Sequence, residues 1–280
     1  MSQILDGRHA VKSGKEALKL LSIPMMKKDV RVVGQKEVVE RYQAVVREDT
    51  NQVMSMVSPG YKLIGHGQAL QGLIQGLEQG GWDIRKVNLE QSGARAYVTA
   101  VCRGHGFDAA KGDPLFPAIT MSNSVDLRSS LRFGLGMHRQ VCSNGLTIPD
   151  PRFGILNFKA VHVGPMMEHF QEFSQQVTDR LKELKEVAPI YQGMANTLVS
   201  HATAEKILMA MSGKRLIERL THIWQGGVPG QSATPSTQWD LYNAITYWLT
   251  HEASGGVYYR DLRSQKALKM ILNIGKRSIN

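Results

Sequence analysis

Between residues 37 and 150 apolar and polar positions alternate in short runs, the period of half-buried β-strands. In the run from Arg41 to Glu48, Tyr42, Ala44 and Val46 are expected on one face, with Arg41, Gln43 and Arg47 on the other. Thr50-Asn51 then reads as a turn, and Val53 to Ser58 as a second strand stopped by Pro59-Gly60. From Gln68 to Gln79 the period changes: Leu70, Leu73, Ile74 and Leu77 are spaced for one side of a helix, which Gly80-Gly81 ends. Strand patterning resumes from Trp82 to Gln91, with a phase slip at Arg85-Lys86 that suits a bulge and a hairpin turn at Ser92-Gly93.

In the next strand Ala94, Ala96, Val98, Ala100 and Cys102 form a small apolar face, leaving Arg95, Tyr97, Thr99, Val101 and Arg103 opposite. Residues 104–117, rich in Gly, Asp and Pro, read as a surface loop. Strands are expected at Ala118 to Val125 and Leu131 to Cys142; in the second, Leu131, Phe133, Leu135, Met137 and Val141 alternate with Arg132, Gly134, Gly136, His138 and Gln140. After Pro149-Asp150-Pro151 the period becomes helical. Met166, Phe170, Phe173, Val177, Leu181 and Leu184 recur at steps of three and four behind Pro165, and further helices are expected near 195–211, 214–225, 235–253 and 259–275, with Thr234-Pro235 as one start.

These elements give an α+β fold: an antiparallel β-sheet with a packed helix in the N-terminal half, then a mostly helical C-terminal half. The expected domains are an arm at 1–36 with a short helix near 14–22, a β-rich core at 37–150, and a helical assembly region at 151–280.

Charge adds a partner class. Lys and Arg exceed Asp and Glu by 34 to 24, and a pI near 9.6 favours polyanions, nucleic acid first among them. The two cysteines, Cys102 and Cys142, fall within strand patterns, where buried thiols are expected rather than a disulfide framework. With no apolar run of about 18 residues and no signal-peptide pattern at the N-terminus, a cytoplasmic protein without membrane contact is expected.

Catalytic and cofactor patterns point nowhere in particular, so no cofactor and no catalytic residue is expected. KSGKEALK at 12–19 has a Gly-Lys pair, but the Walker pattern requires glycine where His9 stands and a hydroxyl residue where Glu16 stands. GHGQAL at 65–70 opens a helix and its amides could hold a phosphate, yet the third dinucleotide-motif glycine is missing and a flexible helix entry accounts for it. There is no HExxH or CxxC. Asp83, Glu90, Asp108, Asp113 and Asp126 follow no two-metal pattern, although a fold could bring carboxylates together. Cys142 and His138, four residues apart along a strand, would stand about 13 Å apart, too far for a thiol-imidazole pair.

The basic strand faces are the candidate site. Arg95, Tyr97 and Arg103 from one strand, Arg132 and His138 from another, and Arg41 and Arg47 from a third would merge if their faces share one side of a sheet, with Arg85, Lys86, Arg128 and Arg139 beside them. Guanidinium pairs bidentately with phosphate and tyrosine offers a ring for base stacking. A solvated face, or ion pairs within the protein, is the competing expectation. The last helix is a secondary candidate: Arg260, Arg263, Lys266 and Lys269, with Lys276 and Arg277, face a lone Asp261.

SNSVDLRSSLRFGLGMHRQVCSNGL at 122–146, and TPSTQWDLYNAITYWLTH at 234–251 with Trp239, Asn243, Ala244 and Thr246 in a Trp-x-x-x-Asn-Ala-x-Thr pattern, resemble a phage- and plasmid-borne family described as a domain of unknown function. That family is similar in turn to single-strand annealing recombinases of the RecT, Redβ and Erf type. The resemblance implies ATP-independent binding and annealing of single-stranded DNA for recombination, through an annealed duplex intermediate, by a homo-oligomeric ring or filament; it transfers no site residue. The alternatives are a structural or interaction protein of a mobile element and a metal-dependent DNA-processing nuclease.

Overall fold

A computed structural model describes residues 6–77, 81–139, 147–149, 158–160, 179, 184–254 and 257–274. The fold is α+β, with antiparallel sheets in the N-terminal half and helices in the C-terminal half. The expected helix behind Pro165, Cys142 and the Val-Cys-Ser-Asn-Gly segment lie outside the described residues.

The chain forms two compact units, the first comprising 1–104, 118–135 and 155–180, the second 105–117, 136–154 and 181–280. The sequence-based boundaries near 36 and 150 are replaced by segments drawn from several parts of the chain. In the first unit, strands β1 (Gly7–Ala10), β5 (Trp82–Glu90), β6 (Arg95–Cys102), β8 (Asp113–Ser124) and β9 (Leu131–Arg139) lie side by side in that order. The ends of β8 and β9 run on into the second unit.

Helix α1 (Gly14–Leu21) starts where the Ser13 hydroxyl accepts the Glu16 amide at 3.2 Å while Glu16 accepts the Lys12 amide at 2.8 Å. The Gly-Lys pair of 14–15 is thus the first turn of a capped helix. With α2 (His66–Leu77), α1 covers one side of the sheet, burying Ala17, Leu21, Leu70 and Leu73 near Val87, Leu89, Ala96 and Val98. The segment 1–36 is therefore no separate arm: β1 pairs with β5, and β2 (Met25–Arg31) pairs with β3 (Val38–Arg47).

Strands β2, β3 (Val38–Arg47) and β4 (Gln52–Val57) make a second, three-stranded sheet. Its inner face packs Val45 and Val57 against Ala94 and Val125, with Met25, Met54, Tyr61 and Leu63 around them. From Ala44 to Arg47 both sides of β3 are buried: Val45 and Arg47 lie on the side turned to that cluster, Ala44 and Val46 are covered on the other, and Tyr42 stands 47% exposed. Val45 fills that cluster, and Asp49 neutralises Arg47 beside it.

Burial pushes the Tyr61 phenol up to about 12, with the nearby Asp126 charge adding to the shift. The neutral phenol is favoured in the fold, so from about pH 10, where the unfolded chain ionises, to about pH 12 the native state holds the extra proton and stability falls as pH rises. A Tyr61→Phe variant is expected to show a flatter loss of urea midpoint across that window; an unchanged profile counts against the assignment.

In the second unit, β7 (Phe107–Ala110) forms a hairpin with the start of β8, so the expected loop at 104–117 is largely strand. Strand β10 (Thr147–Pro149) lies beside the end of β9; in the first unit β11 (Phe158–Ala160) pairs with its beginning. Helices α3 (Leu184–Asn196), α4 (His201–Ser212), α5 (Ile217–Trp224) and α7 (Val257–Leu272) all touch α6 (Gln238–His251). Helix α6 is buried on nearly every side, which explains its lack of a polar stripe. It starts at Thr237, not at Thr234-Pro235, because Thr237 and Asp240 cap each other: the Thr237 hydroxyl accepts the Asp240 amide at 3.1 Å, and the Asp240 carboxylate accepts the Thr237 amide at 3.0 Å.

Candidate nucleic-acid interface

Strand β6 alternates from Arg95 to Ala100 as its sequence implies, with Ala96, Val98 and Ala100 buried and Arg95, Tyr97 and Thr99 half-buried on the opposite side; Val101 and Cys102 are both buried, and Arg103 begins a 3-10 turn beyond the strand. Strand pairing extends that side across the sheet. Arg8, Asn88, Tyr97 and Ser122 stand in one register row, Lys86, Thr99 and Thr120 in the next, and Glu90, Arg95 and Ser124 in a third. Neighbouring strands are about 4.8 Å apart, so each row is a continuous polar strip. Arg132 joins this side because Leu131 and Phe133, its neighbours on β9, are buried on the other.

Carboxylates sit among these cations. Arg95 Nε donates to Asp126 at 2.7 Å, and this bond is the main cause that raises the Arg95 pKa. Arg85 is the extra residue of the bulge between Ile84 and Lys86, and its guanidinium meets Asp83 at 2.7 Å, with Arg103 also near Asp83 at 3.5 Å. The Arg103 side chain stays 54% exposed. Arg132 Nε donates to the Ser130 hydroxyl at 3.2 Å, and Arg128 is exposed beside Asp126, to which its amide donates. Partly exposed pairs of this kind contribute about 0–1 kcal/mol each and can exchange a carboxylate for another anion.

Three expected site residues are placed elsewhere in the fold. Arg47 is buried; its Nε and NH2 donate to Asp49 at 2.7 and 2.8 Å and its NH1 to the Ser92 carbonyl at 2.7 Å. The bond to Arg47 holds the Asp49 carboxyl below its usual range. Arg41 is exposed on the three-stranded sheet, apart from the strips of β6. Arg139 binds both oxygens of Asp113 at 2.7 to 2.9 Å and lies 5.7 Å from the Trp239 ring centroid. Arg47 and Arg139 are thus internal braces rather than anion contacts, because each is already bound by a carboxylate of the chain, Asp49 at the surface and Asp113 at 11% exposure.

His138 is half-buried in the second unit, opposite Thr147. On α7, Arg260 donates to the Thr250 and Ala253 carbonyls at 3.4 and 3.1 Å, closing the C-terminus of α6. Arg263 lies over the Trp248 and Tyr259 rings at 5.5 and 5.1 Å. Lys266 and Lys269 are exposed, while Lys276 and Arg277 lie outside the described residues. Among the described residues no three His, Cys, Asp or Glu side chains group as metal ligands, and no helix is long and apolar enough to cross a membrane.

Sequence reasoning missed Arg8, since four residues of β1 are too few to show alternation. It also left the two motifs of 122–146 and 234–251 without a physical role. Asn123 is buried, and its Nδ2 donates to the Ile64 carbonyl and His66 Nδ1, both at 3.0 Å. The Ser124 hydroxyl donates to the Ser129 carbonyl at 2.8 Å and accepts the Ser129 amide at 2.9 Å, closing the turn before β9. Trp239 Nε1 donates to Asp113 at 2.8 Å, and Asn243, Ala244 and Thr246 are buried. The family model that matches these motifs is the domain of unknown function DUF932, over residues 53–273. The chain belongs to the DUF932 family. No curated protein matches it, and no solved structure does. The DUF932 match begins at the second residue of β4 and reaches the end of α7, leaving β1 to β3 outside. Asn123, Ser124, Trp239, Asn243, Ala244 and Thr246 are buried within the fold and name no reaction.

Proposed function

We propose that the protein binds single-stranded DNA and anneals complementary strands without ATP, working as an oligomer in recombination of a phage or plasmid type. The observation that carries this reading is the side of the β1-β5-β6-β8-β9 sheet on which Arg8, Lys86, Arg95, Tyr97 and Arg132 share polar strips, with Arg85 and Arg103 at one end. The chain's excess of ten positive charges favours the same partner. A strand held with its phosphates on guanidinium groups and a base against Tyr97 keeps its remaining base edges open to a complement. The resemblance to annealing recombinases agrees with this. Lys266 and Lys269 are the second contact in this reading.

The test is annealing and single-strand affinity over a salt series. Each neutralised phosphate contributes about −0.7 to the log-log salt slope for single strands. Replacing Arg95, Arg103 and Arg132 by Gln together is expected to abolish annealing with the circular dichroism spectrum unchanged, and to make the slope shallower by about 2. Full annealing by that variant refutes the site. Wild-type affinity that ignores salt refutes the function, and shortening of labelled DNA with magnesium or manganese replaces it with a nuclease.

A further inference from the structure

The turn between β8 and β9 holds a leucine in a conformation that leucine disfavours. Leu127 has φ of 62°, and among the described residues it is the one apolar side chain outside glycine with a positive φ; the others in that region are Asn51, Gln91 and Ser92. A Cβ makes left-handed backbone costly, and glycine or asparagine is the ordinary choice there. Burial does not offset the cost, because Leu127 stands 54% exposed. The turn around it is fixed. Val125 is fully buried, its amide donates to the Ala94 carbonyl at 2.9 Å, and its carbonyl accepts the Ser55 hydroxyl at 2.6 Å. On the other side of Leu127 the Arg128 amide donates to Asp126 at 3.2 Å, and the hydrogen bonds between Ser124 and Ser129 close the loop. Strain that the surroundings maintain, and that presents an apolar side chain to solvent, points to a function.

We infer that Leu127 is a wedge that enters between successive bases of a bound single strand and interrupts their stacking. This rests on the single-stranded DNA reading above. The surroundings of the turn select that occupant. Arg95 meets it through Asp126 at 2.7 Å, Arg132 is tied to Ser130 at its end at 3.2 Å, and Arg128, next to the leucine, is exposed with its guanidinium in no ion pair. An apolar knob among three guanidinium groups matches a polymer in which flat rings alternate with phosphates. A free phosphate has nothing to offer the leucine, and an apolar peptide has nothing to offer the cations. The turn stands at one end of the polar strips, where Arg95 is opposite Ser124. Tyr97 is two residues along β6 from Arg95, about 7 Å, so one strand can lie against the ring and reach the leucine. Tyr97 then holds one base and Leu127 parts two others, which frees their edges from the strand's own stack for a complement.

Titration of the full chain into short single-stranded oligonucleotides tests it, with one aminopurine moved along a run of adenines, since that base brightens when it loses its stacked neighbours. The wild type is expected to raise the emission. Leu127→Ala is expected to lose the rise and to bind about fivefold more weakly, the effect of one lost stacking contact, with the salt slope unchanged because no cation is removed. Leu127→Phe, a larger wedge, is expected to keep the rise. Leu127→Asn, which suits left-handed backbone, is expected to lose the rise while matching or exceeding the wild-type urea midpoint. A lower midpoint in Leu127→Asn shows that the leucine serves packing and overturns the proposal. So does a wild type that binds with the expected salt slope and leaves the emission unchanged, or a rise that persists in Leu127→Ala; single-strand binding then stands without the wedge. A wild type with no affinity for the oligonucleotide sinks the function and the wedge together. Leu127→Ala that binds as the wild type does but sediments as a smaller species reassigns the leucine to a protein contact.

Discussion

Asp113→Ala is expected to destabilise the second unit by about 3–5 kcal/mol, the cost of removing one partner of a buried ion pair. The Asp113 carboxylate accepts from Arg139 Nε and NH2 and, at 2.8 Å, from Trp239 Nε1, and the Asp113 and Arg139 side chains are each only 11% exposed. Without it a guanidinium and an indole N–H, both largely shielded from water, lose their shared carboxylate acceptor. Urea unfolding read by tryptophan emission should show the midpoint fall by at least about 1 M. Joining Asp113→Leu with Arg139→Met is expected to recover much of the loss, since that pair leaves no uncompensated charge. A single variant that unfolds at the wild-type midpoint removes Asp113 from this role.

His66→Ala is expected to cost the first unit about 2–4 kcal/mol, from lost volume and two lost buried hydrogen bonds. Asn123 Nδ2 donates to His66 Nδ1, which places the ring proton on Nε2, where it donates to the Gly93 carbonyl at 2.9 Å. That carbonyl belongs to a turn held in an uncommon backbone conformation, with φ of 56° at Gln91, 57° at Ser92 and 80° at Gly93. Left-handed backbone at two consecutive non-glycine residues persists only when its surroundings fix it. Here Asp6 accepts the Ser92 and Gly93 amides at 2.8 and 3.0 Å, Arg47 donates to the Ser92 carbonyl, and His66 closes the set. Gly93 is required for a second reason: a Cβ there would lie 2.7 Å from Ile23 Cδ1. Hydrogen exchange at Ser92 and Gly93 should quicken in His66→Ala and less so in His66→Gln, whose amide can still donate and accept. Unchanged exchange in both variants would show that the turn holds itself.

The two braces show where sequence reading stopped. Arg47 and Arg139 belong to basic strand patterns like those of Arg95 and Arg132, yet each is held inside the fold by a carboxylate of the chain, Asp49 or Asp113. Nothing in the alternation of β3 or β9 names those partners. Asp49 is two residues from Arg47, near enough to be noticed, whereas Asp113 reaches Arg139 and Trp239 only through the fold. His66, a lone histidine in a glycine-rich stretch, gained its meaning from Asn123, 57 residues away.

By itself the sequence determined the α+β order, the alternation of β6, the bulge at Arg85, the turn at Ser92-Gly93 and the polar side bearing Arg95, Tyr97 and Arg132, because each follows from backbone periods acting over a few residues. Only the tertiary structure decided which side of β3 turns inward, that residues 104–117 contain strand, and that 1–36 joins both sheets. It also decided which arginines carry their own carboxylates. Those outcomes depend on partners distant in sequence, and the burial of Val45 or the pairing of Asp113 with Arg139 exists only once the chain has brought the groups together.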